Sequence, residues 1–438
     1  MLFQAKNLSA DLGGELVGDD VALRGVSIDS RLVDPGALFV PLVAERDGHD
    51  YIGAAIDAGA AGYLTAEGVL DERATAVLVL DTRAALTEIG RLARARLDGP
   101  VIAITGSVGK TSVKDLTAAA CSAALRTHAS EKSFNNELGV PLTIANAPDD
   151  AEVAVLEMGA RGSGHIAELC EIGRPTVGIV TAVALAHSEL FGSIEGVAAA
   201  KGELIEALPA DGTAVLNADD PHVAAMAERS AAPVLTFGVG SGDVRATGIV
   251  LDDVLRPSFT LQTPSGSVEL QLQVRGAHMA LNAAAAMAAA LAVGIAPADA
   301  AAGLATAALS PWRMDVTRSA DGLIVINDAY NANPASMRAA LGALAEVTAD
   351  ERIAVLGQMA ELGDEGPAEH AAIAAEAAAS GVRVIAVASP AYGPSAEHVA
   401  DRREALAALG SPGAGTAVLV KGSRVAGLEV LAAELLGA

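Results

Sequence analysis

The sequence predicts an α/β protein of three domains: a central parallel sheet with an antiparallel patch, a second nucleotide-fold-like sheet after it, and a small mixed α/β domain before it. Three observations carry this expectation. Short apolar runs rich in β-branched residues alternate with helical segments from Val101 onward. A glycine-rich turn, TGSVGKTS (Thr105–Ser112), joins the first run to a helix. The same strand–helix rhythm restarts after Pro311. Such alternation indicates a parallel sheet covered on both faces.

Residues 1–98 read as short strands and helices, with one clear helix-like run from Ile52 to Ala61 stopped by Gly62. Asp98–Pro100 reads as a linker. Residues 99–310 begin with VIAIT (Val101–Thr105), a buried parallel strand, then the glycine loop and a helix to about Arg126. VAVLE (Val153–Glu157), VGIVTAV (Val177–Val183) and TAVLN (Thr213–Asn217) are further strands of this P-loop-type sheet. Between Asp243 and Gly276 the pattern becomes alternating, with a turn at Pro264–Gly266, which predicts an antiparallel patch at the sheet edge. Helices follow to about Leu309. Residues 311–438 carry LIVIND (Leu323–Asp328), IAVLG (Ile353–Gly357), VRVIAVA (Val382–Ala388) and TAVLVKG (Thr416–Gly422), a Rossmann-like C-terminal domain. No short-period repeat is present.

The 438 residues suffice for several cores at roughly 100–200 residues per domain. Acidic residues outnumber basic ones, 54 to 29, for a formal net charge of −25. That balance argues against nucleic acid or a membrane surface as partner, because phosphate backbones need excess Lys and Arg. A small phosphorylated substrate stays open, since local charge decides it. Cys121 and Cys170 lie in apolar helical contexts and read as buried free thiols. The N-terminal MLFQAKNLSADLGG lacks the basic start and apolar stretch of a signal peptide. The alanine-rich stretch Met279–Ala296 reads as a buried helix, not a membrane span. A cytoplasmic protein is expected.

Strand, TGSVGKTS and helix together form the context of a phosphate loop. Gly106 and Gly109 allow a tight turn that aims backbone N–H groups, with those of Ser107, Val108 and Ser112 nearby, at phosphates. Lys110 would reach the β- and γ-phosphates, Thr111 would offer its hydroxyl to Mg2+, and the helix N-terminus favours the same anion. The spacing is shorter than the common one, because Ile104 stands where its first glycine belongs. Glu157 ends a strand at the same sheet edge, where ligands sit, and can hold Mg2+ opposite Thr111. His187, in ALAHSELFGS, reads either as a structural histidine or as a metal ligand. Lys201 on its helix reads as a solvated lysine. Asn282, Arg313 and DAYNANP (Asp328–Pro334) form a second nucleotide-contact candidate, through an adenine edge, the γ-phosphate and a ribose hydroxyl. Asn282 also fits a partnered buried polar residue.

TGSVGKTS, EMGA (Glu157–Ala160), AHSELFGS (Ala186–Ser193), KGE (Lys201–Glu203), LNADD (Leu216–Asp220) and DAYNANPASM (Asp328–Met337) occur in this order. Together they resemble the Mur ligases of peptidoglycan synthesis, across all three blocks, and the short phosphate loop is that family's form. IDSRLVDPGALFVPL, KSFNNELGVPLT (Lys132–Thr143) and YNANP resemble the branch that joins D-alanyl-D-alanine to UDP-MurNAc-tripeptide through an acyl phosphate, forming the pentapeptide. The resemblance implies a three-domain ligase using ATP and two Mg2+ ions. Ser30 and Arg31 would contact the UDP end of the substrate. Arg313, Asn327, Asp328, Tyr330 and Asn331 would close on the nucleotide. His187 would bind a second Mg2+, and Lys201 would be carbamylated and bridge to that ion. Lys110, Lys201, His187 and Arg313 would carry the catalysis. Asn135 and Asn136 would contact the muramoyl or peptide part, with a loop that caps the next segment as the alternative. A monomer is expected.

Three positions depart from the family pattern: Met279 replaces Asn in HMALN, Gln358 replaces Asp in LGDM, and Pro41 replaces Ala in FVAL. Competing readings are another amide-forming Mur or folylpolyglutamate-type ligase, a nucleotide switch, and an inactive binder. A GTP switch would need an NKxD-like motif, which is absent.

Overall fold

A computed structural model describes residues 1–184 and 191–437. Its largest sheet has nine strands and occupies the middle of the chain. At its heart Val101–Thr105 lies between Val153–Glu157 and Val177–Val180, all parallel. Thr127–Ala129 flanks the first side, and Thr213–Asn217 and Val234–Gly238 extend the other. The chain crosses from one side of Val101–Thr105 to the other between Glu157 and Val177. This is the switch point outside whose carboxyl ends a crevice opens. All residues of Val101–Thr105 and Val153–Glu157 are buried, as their unbroken apolar runs require.

The expected antiparallel patch is formed by Val244–Leu251, Pro257–Thr263 and Gly266–Gln271. Its first strand pairs parallel with Val234–Gly238, so the patch continues the main sheet. Behind the sheet the helix Lys110–Ser122 packs on the helix Met279–Ala292. Ala283–Ala290 are fully buried there, and small side chains let the two backbones approach closely. Among the described residues no helix is long and apolar enough to cross a membrane.

The N-terminal strands form a five-stranded mixed sheet and a separate antiparallel pair, Leu2–Gln4 with Ala22–Arg24. Asp81 caps the helix Thr82–Ala95 by accepting from the Arg83 and Ala84 N–H groups at 2.8 and 3.0 Å. Its buried stripe, Ala85, Leu86, Ile89 and Ala93, shares one core with Val140, Leu142 and Leu156. The helix expected over Ile52–Ala61 is shorter, Ile52–Asp57, and Gly62 begins a strand rather than stopping the helix. The chain turns earlier, at Gly59, whose φ is 113°.

The C-terminal sheet has six strands in the order Asp315–Arg318, Ile324–Asn327, Thr416–Lys421, Glu351–Leu356, Arg383–Val387 and Glu397–Val399. Only the first pairs antiparallel. Apolar cores cover both faces.

Candidate active site

The carboxyl ends of the central strands and residues of the C-terminal sheet enclose a cavity of about 810 Å³. The phosphate loop forms its floor. Gly106 has a φ of 151°, and a Cβ there would fall 1.9 Å from Thr181 Oγ1, so only glycine fits. Thr181 holds the loop from the next strand, donating to the Val108 carbonyl at 2.6 Å. Ser107 is tied to the same segment: its N–H donates to the Ala182 carbonyl at 2.8 Å and its hydroxyl to the Ala184 carbonyl at 2.8 Å. Asn217 of LNADD supports that segment by donating to the Thr181 carbonyl at 2.8 Å. Gly109, with a φ of 82°, ends the loop in the left-handed region and starts the helix.

Lys110 folds back on the loop and donates to the Gly106 carbonyl at 2.6 Å. Burial pushes its pKa below the ordinary lysine value, opposed by the charge of Glu157 and reinforced by that of Arg313. Thr111 donates to Glu157 Oε2 at 2.6 Å, and Asn135 donates to Glu157 Oε1 at 2.7 Å. Glu157 is 1 % exposed, so both oxygens of a buried carboxylate are satisfied. Arg313 comes from beyond the central sheet and places its guanidinium on Thr111 Oγ1 at 2.8 Å and Ser133 Oγ at 3.1 Å. It also stacks over the Tyr330 ring, 4.0 Å from the centroid. The Thr111 hydroxyl and Glu157 carboxylate are hard oxygen donors with a cationic group already against them. That donor set fits Mg2+.

Lys201 lines the same cavity and is 4 % exposed, so it is not a solvated lysine. No hydrogen bond or ion pair to its amine is found among the described residues. Burial, and then the charge of Lys110, lower its pKa to about 7. Glu203, two positions on, is structural. It accepts from the N–H groups of Gly164 and Ala167 at 2.7 and 3.1 Å and anchors the helix His165–Gly173. His187 lies outside the described residues.

The remaining expected residues divide. Ser112, Asn282, Asp328, Tyr330, Asn331 and Asn136 line the cavity; Asn327 does not. Asn327 accepts the Ala329 N–H at 3.2 Å and shapes the turn after its strand. Asn136 accepts from the Leu138 and Gly139 N–H groups at 3.3 and 2.9 Å, which is the capping alternative. Asn282 lies over Gly109 and donates to the Met279 sulfur at 3.4 Å. Asp328 accepts the Met314 N–H at 3.1 Å and pairs with Lys421. Ser30 and Arg31 are not in this cavity. Arg31 is exposed and forms a two-pronged pair with Asp29, at 2.9 and 2.7 Å, which holds the Asp29 pKa at about 2.

Sequence reasoning missed Thr181, Ser133 and Lys421, which line the cavity together with Asn333 of the DAYNANP run. Lys421 carried a signal, a lysine ending the apolar run TAVLVKG at a strand's carboxyl end. Asn333 caps its helix with a reciprocal box to Ser336 and also reaches the Ser107 carbonyl at 3.4 Å.

Comparison with known proteins fits this geometry. The Mur ligase middle domain matches residues 104–290, and the Mur ligase, glutamate ligase domain matches residues 312–424. The UDP-N-acetylmuramoyl-tripeptide–D-alanyl-D-alanine ligase of Escherichia coli K12 is 38% identical over 431 residues, covering 95% of each chain. The chain belongs to the Mur ligase family. It is therefore an ATP-dependent ligase. The ligase of the same name from Mycobacterium bovis is 43% identical over 376 residues, covering 79% of this chain and 73% of its own. Among solved structures, MurF from Acinetobacter baumannii superposes with a TM-score of 0.90 at 30% identity, covering 100% of this chain and 99% of its own. MurF from Thermotoga maritima in complex with ADP gives a TM-score of 0.81 at 26% identity, covering 94% and 97%.

Proposed function

We propose that this Mur ligase joins D-alanyl-D-alanine to UDP-MurNAc-tripeptide, yielding UDP-MurNAc-pentapeptide for peptidoglycan. The observation that carries the chemistry is the convergence of Lys110, Arg313, Thr111 and Glu157 on one cavity with the buried amine of Lys201. Residues 1–98 hold the UDP end through Ser30 and Arg31. Residues 99–310 hold ATP, and residues 311–438 close over it. The protein acts as a cytoplasmic monomer on small-molecule substrates.

The free carboxylate of the tripeptide attacks the γ-phosphorus, giving an acyl phosphate and ADP. The amine of the dipeptide then attacks the acyl carbon, and inorganic phosphate leaves with one former carboxylate oxygen. The first step brings two anions together. Lys110 and Arg313 supply positive charge where negative charge accumulates. The lowered pKa of Lys110 is the mark of a desolvated cation that a polyanion would relieve. Tyr330 holds the Arg313 guanidinium flat by stacking. Thr111 and Glu157 would hold one Mg2+, and His187 with a carbamate on Lys201 would hold a second. Bound Mg2+ supplies further charge neutralisation at the transferring phosphoryl group. Burial favours the uncharged amine of Lys201, the form that adds to CO2; the amine nitrogen bonds the carbon and its proton leaves to solvent. Asn135 orients Glu157 and, with Asn136, borders the side where the muramoyl peptide enters.

An acceptor scan tests the substrate assignment. With ATP and UDP-MurNAc-tripeptide, phosphate release is expected with D-Ala-D-Ala and not with single amino acids. Release driven by a single amino acid, with none for the dipeptide, places the chain in another branch of the family.

A further inference from the structure

Lys114 and Asp115 sit on the helix that follows the phosphate loop, one turn beyond Lys110. Neither lines the nucleotide cavity. Lys114 is nevertheless 3 % exposed, which is rare for lysine unless it is fully paired. Its ammonium meets three acceptors: the Ser130 carbonyl at 2.7 Å, the Lys132 carbonyl at 3.1 Å and Asp115 Oδ1 at 2.7 Å. Two of its three N–H donors are thus hydrogen-bonded to carbonyls, and the Asp115 carboxylate balances the charge. Asp115 looks the other way as well. Its Oδ2 accepts the Ser310 N–H at 2.7 Å and its Oδ1 the Ser310 hydroxyl at 3.2 Å.

Each arm ends at the reacting groups. On the Lys114 side, Ser130 is fastened to the Glu157 strand: the Glu157 N–H donates to Ser130 Oγ at 3.2 Å, and the Ser130 N–H donates to the Val155 carbonyl at 2.9 Å. The loop then turns through Lys132, whose φ of 49° is left-handed, and delivers Ser133 to Arg313 and Asn135 to Glu157. On the Asp115 side, Ser310 opens the linker that delivers Arg313. That linker is contorted, with Trp312 at φ 62° and Met314 at φ 54°. Such a path persists only where its surroundings hold it, here through the Trp312 N–H to Asp315 at 2.6 Å and the Met314 N–H to Asp328 at 3.1 Å.

We infer that the Lys114–Asp115 pair is a positioning unit for the ligase reaction, setting the Ser130–Asn135 loop and the Arg313 linker from a single helix. Arg313 and the Glu157 carboxylate are thereby held in register with the phosphate loop that the same helix carries. The kinetic part rests on the ligase reading above; the single tryptophan, Trp312, gives a readout that does not. Its ring lies 4.4 Å from the Arg424 guanidinium, close to Ser310 in the chain.

The test compares Asp115→Ala, Asp115→Asn and Asp115→Glu with the parent protein, following phosphate release, melting and Trp312 emission on adding MgATP. Asp115→Ala is expected to lower kcat on the order of 10²-fold, the effect of a displacement of about 1 Å among reacting groups. KM for ATP stays close to that of the parent, Asp115→Glu recovers most of the rate, and the Trp312 response to MgATP changes. If Asp115→Ala does not fold, the isosteric Asp115→Asn carries the same comparison with a smaller fall in kcat. Parent-like kcat in a folded Asp115→Ala or Asp115→Asn variant overturns the inference. So does a joint fall of kcat, ATP affinity and melting temperature with Glu no better than Ala, the signature of a merely structural pair. If the parent itself turns over no dipeptide, the ligase assignment fails alone; an identical Trp312 response in parent and Asp115→Ala then overturns the positioning role.

Discussion

Replacing Lys110 by alanine is expected to slow ATP-dependent phosphate release on the order of 10²–10³-fold while the protein stays folded. The magnitude is that of removing one preorganised charge from a site where charge develops. The fold is expected to survive because among the described residues Lys110 makes a single hydrogen bond, to the Gly106 carbonyl at 2.6 Å, and its cation is held against a desolvation penalty. The loop itself is pinned by other groups, Thr181 on Val108 and Ser107 on Ala182 and Ala184. Phosphate release beside a melting curve separates the two effects. Activity near that of the parent would remove Lys110, and with it the phosphate loop, from the reaction.

Lys201→Ala gives the second large effect: loss of activity of similar size, partly restored by a short carboxylic acid added to the assay. The cavity wall offers a buried lysine with no partner among the described residues, beside Lys110. A bare ammonium there repels the other cations of the site. A carboxylate at the same point attracts them and any divalent ion, which is why a carbamate suits the position and why acetate or formate in the gap should substitute for it. An absence of rescue, together with no modification mass on the intact protein, would sink the carbamate and leave Lys201 a plain amine.

The central strands were legible because strands buried on both faces read as unbroken apolar runs, VIAIT and VAVLE being the clearest. Thr127–Ala129 was not, since a three-residue, half-buried edge strand has too little pattern to register. The phosphate loop was legible because its glycines, lysine and threonine are contiguous. Arg313 entered as a nucleotide contact, but its bonds to Thr111 and Ser133 join residues far apart in sequence and needed the folded chain. Lys201 shows the limit most plainly: on its helix it reads as a surface lysine, and only tertiary packing buries it. Lys114 and Asp115 are hidden for the same reason, since adjacent opposite charges on a helix normally face water. Asn136 lines the cavity and also caps, because its side chain stands just before the helix Gly139–Ala145, whose first N–H groups need acceptors.

In the mechanism above, ATP activates a carboxylate before the amine arrives. Oxygen-18 placed in the terminal carboxylate of UDP-MurNAc-tripeptide tests that order most directly, with mass analysis of the phosphate formed during ligation. Transfer of one labelled oxygen from each peptide to inorganic phosphate is the predicted result, because the acyl phosphate carries that oxygen away. Unlabelled phosphate formed alongside the ligated product would contradict it.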